Sequence, residues 1–263
     1  MQVITSKDNE IIKGIRKLKD KKNREENNQY IIEGIKMIEE AIKEKAEISK
    51  IIICEECLQS DALDKKLLYE IAKFDCIYVS KKIMEHLTTV VNPQGIMAVI
   101  ERTNKGSKIN YNEDIILVLD GIQDPGNLGT ILRTADSVNL KQIVVTKETA
   151  DVFNPKVVRS TMGAIFRVNV IESDDLVKTL KEIKKNKFKI VATSLGAEES
   201  IYDIDYKKKA IIIGNEANGV SKAVLDIADK KVIIPMLGKA ESLNASIATG
   251  VILYEYVRQK IRK

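Results

Sequence analysis

The second half of the chain constrains the fold most. From residue 114 onward, short apolar runs rich in β-branched residues recur between longer amphipathic stretches: DIILVLD (114–120), QIVVT (142–146), FRVNVI (166–171), FKIVATS (188–194), KAIIIG (209–214) and KKVIIP (230–235). Runs this short and this continuously apolar are strands covered on both faces, and strands that alternate with helices join in parallel. Helices are predicted from Asn127, across 173–186, and from Ser242 to about Arg258. The fold class that follows is α/β, with a Rossmann-like parallel sheet in the C-terminal part.

The first hundred residues read as a smaller α/β unit. Helical spacing of Ile11, Ile12, Ile15 and Leu18 predicts a helix over 8–22. Strands are expected at 29–34, 48–54, 76–80 and 95–101, and further helices at 35–45, 61–74 and 80–88. Residues 103–113 are polar and poor in large apolar groups, which marks a linker. The expected domains are therefore 1–105 and 106–263.

Several classes of function are excluded by what is missing. No apolar run approaches the length of a membrane span, and the first residues lack a signal-peptide core, so a soluble cytoplasmic protein is expected. Cys54, Cys57 and Cys76 with the single His86 are too few for a zinc site or a disulfide framework; buried thiols are the plainer reading of the CxxC. No metal is expected. The net charge is only +5, but Lys13, Arg16, Lys17, Lys19, Lys21, Lys22 and Arg24 crowd one stretch with only Asp20 against them. Such a cluster can grip nucleic-acid phosphates, or it can be a solvated helix face.

Three segments place glycines and polar residues where strands end, the position at which open α/β sheets bind ligands. The first, LDGIQDPGNLGTILRTAD (119–136), carries Asn127, Gly129 and Arg133. Its spacing fits neither a GxGxxG dinucleotide turn nor a GxxxxGK[ST] phosphate loop. Asn127 could cap the helix, and Arg133 could pair with a carboxylate. The second, AIIIGNEANGVSKAVL (210–225), sets Gly214, Asn215 and Glu216 after a buried strand. A glycine there admits close approach of a ligand to the backbone, whereas Glu216 could be a solvated turn residue. In the third, VIIPMLGKAESLNASIATGVILYE (232–255), Ser242, Leu243 and Asn244 open an apolar helix that Ser242 could cap.

Taken in order, the three segments resemble the motifs of SpoU-type (TrmH-like) RNA ribose 2′-O-methyltransferases of the knotted SPOUT superfamily. The family's Asn, Gly and Arg match Asn127, Gly129 and Arg133; its Gly-x-Glu matches Gly214-Asn215-Glu216; its Ile-Pro-Met and Ser-Leu-Asn match Ile234-Pro235-Met236 and Ser242-Leu243-Asn244. Arg24 with YIIEGIKMIEEA, and VVNPQGIMAVIE further on, is similar to the family's N-terminal RNA-binding domain.

The resemblance implies a deep trefoil knot whose loops hold S-adenosylmethionine, and a homodimer packed through the last helix. Gly214, Asn215, Ile234 and Leu243 should line the cofactor pocket, with Thr193, Leu195 and Gly196 as further candidates. It implies catalysis by Arg133, with Asn127 and Glu216 orienting it or the ribose, and Ser242 and Asn244 holding phosphate and loops. A guanidinium, with its pKa above about 12, is a poor base. Binding the neighbouring phosphate and stabilising the developing alkoxide suits Arg133 better. Lys13, Arg16, Lys17, Lys21, Lys22 and Arg24 are the expected RNA contacts. Ribosomal RNA is favoured over transfer RNA as substrate, and a non-catalytic assembly factor of the same fold is the alternative.

Overall fold

The computed structural model describes residues 3–58, 65–103 and 108–262. The chain begins β1 (Val3–Ile4), α1 (Glu10–Lys17), α2 (Lys21–Asn27), β2 (Gln29–Glu33), α3 (Ile35–Lys43), β3 (Ile48–Cys54), α4 (Glu55–Leu58), α5 (Lys65–Ile71), β4 (Cys76–Val79), α6 (Lys81–Leu87) and β5 (Ile96–Glu101). It continues through β6 (Ile115–Asp120), α7 (Pro125–Ser137), β7 (Gln142–Thr146), α8 (Pro155–Ser160), a 3-10 turn (Ala164–Phe166), β8 (Asn169–Ser173), α9 (Leu176–Lys185) and β9 (Lys189–Thr193). The last elements are β10 (Glu199–Ser200), β11 (Lys209–Gly214), α10 (Lys222–Ile227), β12 (Lys230–Ile233) and α11 (Ala245–Ile261). These elements fall into two compact units, Met1–Lys105 with Phe153–Phe166, and Gly106–Val152 with Arg167–Lys263. A contiguous division near residue 105 leaves Phe153–Phe166 with the second unit; the structure packs it into the first.

In the first unit a five-stranded mixed sheet runs in the order β1-β4-β3-β5-β2. Its core joins Ile12, Ile15 and Leu18 to Ile31 and Ile52 of the sheet and to Ile83 and Leu87 of α6. Ile11, counted in the predicted apolar stripe, is instead 42% exposed. The predicted helix over 8–22 is two helices, because the chain turns after Leu18. Arg24 explains the break: its Nη1 donates to the carbonyls of Leu18 at 2.8 Å and Lys19 at 2.6 Å. Arg24 thereby satisfies carbonyls that the end of α1 leaves open, and it is only 2% exposed. It is therefore withdrawn from the expected RNA contacts. Arg24→Ala should destabilise the protein by about 2 kcal/mol, since it strands buried carbonyls and empties a packed volume. The midpoint of urea unfolding followed in the intact chain would register it.

The rest of the basic cluster is also partly spoken for. Lys13 pairs with Glu10, Lys21 with Glu25 and Lys22 with Glu26. Lys19 donates to the carbonyls of His86 and Thr88, where α6 ends. Of the thiols described, Cys54 is buried with its Sγ on Glu56, and Cys76 is half-buried against the Ile71 carbonyl. The side chain of Cys57 lies outside the described residues.

The second unit is built on seven parallel strands in the order β10-β12-β9-β11-β6-β7-β8. Ile116, Val118, Val144, Ile190, Ala192, Ala210 and Ile212 form its buried sheet layer, against Leu180 and Ile183 of α9 and Val224 of α10. The alternate positions Leu117, Leu119, Ile143, Ile211 and Ile213 are buried too, the double-sided burial that continuous apolar runs imply. One strand is displaced from its predicted run: β8 is Asn169–Ser173, because Ala164–Phe166 forms the 3-10 turn.

Two helix starts also differ. Asp124, not Asn127, caps α7 by accepting from the Asn127 amide at 2.8 Å, with Pro125 in the first helical position. Asn244, not Ser242, caps α11 by accepting from the amides of Ser246 and Ile247. The Asp124 cap leaves the Asn127 side chain free, and the Asn244 cap keeps its Nδ2 free, for bonds at the strand ends.

Candidate active site

Adjacent strands bring the first two sequence motifs together. β11 pairs with β6 so that Gly214 stands opposite Asp120. The loops that leave these strands are stitched to each other. Asn215 donates through Nδ2 to the Gly121 carbonyl at 2.8 Å, and its Oδ1 accepts from the amides of Ala217 and Asn218. Asp120 accepts from the Ser221 amide at 2.8 Å, and Gly121, with φ of +77°, donates to the Thr146 hydroxyl.

Gly214 is required here by the chain itself. A Cβ on it would lie 2.1 Å from both the Gly219 carbonyl carbon and the Val220 nitrogen. The close approach read from the sequence is thus the backbone of residues 219–220, folded back in a tight pair of bonds between Asn215 and Gly219.

The third motif joins through a chain of side-chain hydrogen bonds. Asn127 Nδ2 donates to Glu216 Oε1 at 2.9 Å, and Asn244 Nδ2 donates to Asn127 Oδ1 at 2.9 Å. Glu216 Oε2 also accepts, at 3.4 Å, from the Gln123 amide. The direction of this chain is forced at both ends. An ionised carboxylate only accepts, so Asn127 must turn its NH2 to Glu216; the α11 amides only donate, so Asn244 must keep its Oδ1 for them. Three segments up to 117 residues apart are locked into one arrangement.

Not every expected residue takes part. Arg133 is exposed and makes no hydrogen bond or ion pair among the described residues, so the guanidinium is left available. Ser242 is likewise exposed and has no such contact. The Thr193 hydroxyl donates to the Ile212 carbonyl at 3.0 Å, tying the end of β9 to β11. Leu195 and Leu237 are 66% and 100% exposed, and Ile234 and Leu243 are half-buried. Residues 236–243 make no hydrogen bond among the described residues, so their backbone groups are open to a ligand. The sequence analysis gives no role to Asp120, Gln123 or Asp124; an acidic residue at each edge of the short Gly121-Ile122-Gln123 loop is the available signal.

This geometry can be set against known proteins. A profile of the SpoU rRNA Methylase family matches residues 114–254, the stretch that holds all three motifs. The chain belongs to the SpoU rRNA Methylase family. Residues 9–98 also match the MRM3-like substrate binding domain. Among the SpoU relatives, the 23S rRNA (guanosine(2553)-2′-O)-methyltransferase RlmP of Bacillus subtilis is 32% identical over 97% of this chain and 98% of its own. The 23S rRNA (guanosine-2′-O-)-methyltransferase RlmB of Bordetella pertussis is 34% identical over 69% of this chain and 77% of its own. In three dimensions the crystallised SpoU methyltransferase AviRb of Streptomyces viridochromogenes, in complex with AdoMet, superposes with a TM-score of 0.86 at 26% identity, covering 96% of this chain and 98% of that one.

Proposed function

We propose that this SpoU chain transfers a methyl group from S-adenosylmethionine to a ribose 2′-hydroxyl of ribosomal RNA. The observation that carries this reading is the Glu216–Asn127–Asn244 chain, which joins all three motifs at a parallel sheet end, with Arg133 further along the same helix α7 as Asn127 and without a partner among the described residues. The rRNA methyltransferase relatives and the AdoMet-bound AviRb agree with it. In this reading the cofactor lies at the strand ends, with Leu195 and Leu237 offering apolar surface to its adenine ring and the open backbone groups of 236–243 meeting its polar edges. Gly214, Asn215, Ile234, Leu243, Thr193 and Gly196 complete the proposed pocket.

The cofactor, when bound, supplies an electrophilic methyl on a sulfonium. The residues then have to place the hydroxyl and offset its developing charge. Arg133 binds the phosphate next to the target ribose and stabilises the alkoxide that develops as the hydroxyl proton passes to that phosphate or to water. Asn127 is a positioning residue, fixed at both its amide ends. Glu216 and Asn244 hold it, and Ser242 contributes a hydroxyl to the phosphate. Asn127→Asp should cut turnover at least about tenfold, because a carboxylate cannot donate to Glu216 and sets two like charges within bonding distance. The single-turnover rate against pH is the measurement: protonating the new carboxyl at low pH should recover part of the loss.

Residues 1–105 serve RNA binding, and 106–263 the chemistry. Arg16 and Lys17 have no ion-pair partner among the described residues and are the strongest of the α1 and α2 contacts, ahead of the paired Lys13, Lys21 and Lys22. Membership of the SpoU family supports a trefoil knot in the C-terminal part, where β11 is inserted between β6 and β9. Ile247 and Tyr254, 56% and 55% exposed on α11, support a homodimer packed through that helix.

Mapping 2′-O-methylated nucleotides in ribosomal and transfer RNA, with and without the protein, tests the function. One ribosomal position should disappear. S-adenosylmethionine should bind equally with and without a chelator; loss of binding on chelation would contradict this metal-free reading.

A further inference from the structure

The crossover between β7 and β8 belongs to the second sheet in sequence, yet Phe153–Phe166 packs in the first unit. Val157, Val158, Ala164 and Ile165 are buried there. The Phe153 ring stands 4.8 Å from Tyr30 of β2, and the Arg102 guanidinium lies 4.3 Å from the same ring. Gly163, with φ of +93°, rests on Glu40 of α3, so that a Cβ would meet its Cγ at 2.9 Å. This packing leaves Lys156 and Arg159 facing solvent.

A braced loop adjoins them. The Glu33 carboxylate accepts from the Thr88 hydroxyl at 2.6 Å, the Thr89 amide at 2.9 Å and the Thr89 hydroxyl at 2.7 Å. Gln94 Oε1 accepts from the Ile35 amide at 2.9 Å, which ties the start of α3, where the exposed Lys36 follows, to the same loop. Arg159 Nη1 reaches the Thr89 hydroxyl at 3.5 Å, and Val91 at the loop's tip is 95% exposed. None of Lys36, Lys156 and Arg159 pairs with a carboxylate among the described residues, in contrast to Lys13, Lys21 and Lys22.

We propose that α8 and the 88–94 loop form a second RNA-contact surface of the first unit, with Lys36, Lys156 and Arg159 on phosphates and Val91 against a ribose or base. Three exposed cations with no ion pair among the described residues, one of them bonded to a braced loop, suit a phosphate backbone, whose binding releases counterions. The proposal rests on the reading of the chain as an RNA methyltransferase, and it makes part of the RNA grip come from the methyltransferase half of the sequence.

The test uses the full chain, with in vitro transcribed large-subunit ribosomal RNA as probe across a salt series. Lys156→Glu with Arg159→Glu should weaken binding about tenfold and flatten the slope of log affinity against log salt by about two. S-adenosylmethionine affinity and the melting midpoint should not change. If charge reversal lowers the midpoint, Lys156→Gln with Arg159→Gln keeps the packing and should still flatten the slope. Wild-type affinity and slope in either folded variant would overturn the surface alone. A wild-type chain that binds the cofactor but neither ribosomal nor transfer RNA would overturn the RNA reading itself.

Discussion

Arg133→Ala is expected to lower the single-turnover rate of methyl transfer by roughly a hundred- to a thousandfold, the usual cost of one well-placed charge stabiliser. The fold and the affinity for S-adenosylmethionine should be unaffected. Arg133 is exposed on α7 and bonds to nothing among the described residues, so removing it strands no partner and opens no cavity. The proposed cofactor contacts come from other loops. Arg133→Lys separates two roles. Lysine keeps the charge but loses the planar fork, so a bidentate phosphate clamp should fail while a field effect partly survives. Turnover near wild type in the alanine variant would remove Arg133 from the chemistry.

Gly214→Ala should be the most destabilising single methyl in the second unit. The added carbon meets main chain at 2.1 Å on two atoms, and no flexible side chain is there to yield. The paired bonds between Asn215 and Gly219, both 2.9 Å, would have to open. A cost of about 3 kcal/mol or more is expected, which lowers the melting midpoint by roughly 6–12 °C for a unit of this size. Glu216 would move with the turn, so turnover should fall as well. Gly196→Ala is the control: nothing lies within 4 Å of its Cβ position, so stability should hold and any loss should appear in cofactor affinity.

How much was legible in the sequence follows from which interactions are local. Strands such as Ile115–Asp120, Gln142–Thr146 and Lys209–Gly214 stand almost where their apolar runs placed them, since burial on both faces needs such a run and little else. β1 and β10 escaped because two residues carry no periodicity. Helix starts were harder. Asp124 and Asn127 are both competent caps three residues apart, as are Ser242 and Asn244 two apart, and only the packed structure selects between them. Arg24 looked like one more surface cation, and nothing in its neighbours announces that it turns inward to the end of α1. The motif residues were visible as residue types at strand ends. Their joining was not, because the bonds of Asn127 to Glu216 and Asn244 span 89 and 117 residues.

The polypeptide passes between its two units three times, near residues 105, 152 and 166. The profiles that match 9–98 and 114–254 invite treating the halves as exchangeable cassettes. The packing does not allow a clean exchange. A fragment cut at residue 105 would lose the helix whose Val157 and Val158 are sealed within the first unit, and so would expose a strip of its apolar interior. Grafting that fragment onto another enzyme would require carrying a piece of the donor's own crossover with it. Recombination between such genes is therefore expected to conserve the two halves as a matched pair, with the stretch around 153–166 changing in step with the N-terminal sequence and not with the sheet that flanks it.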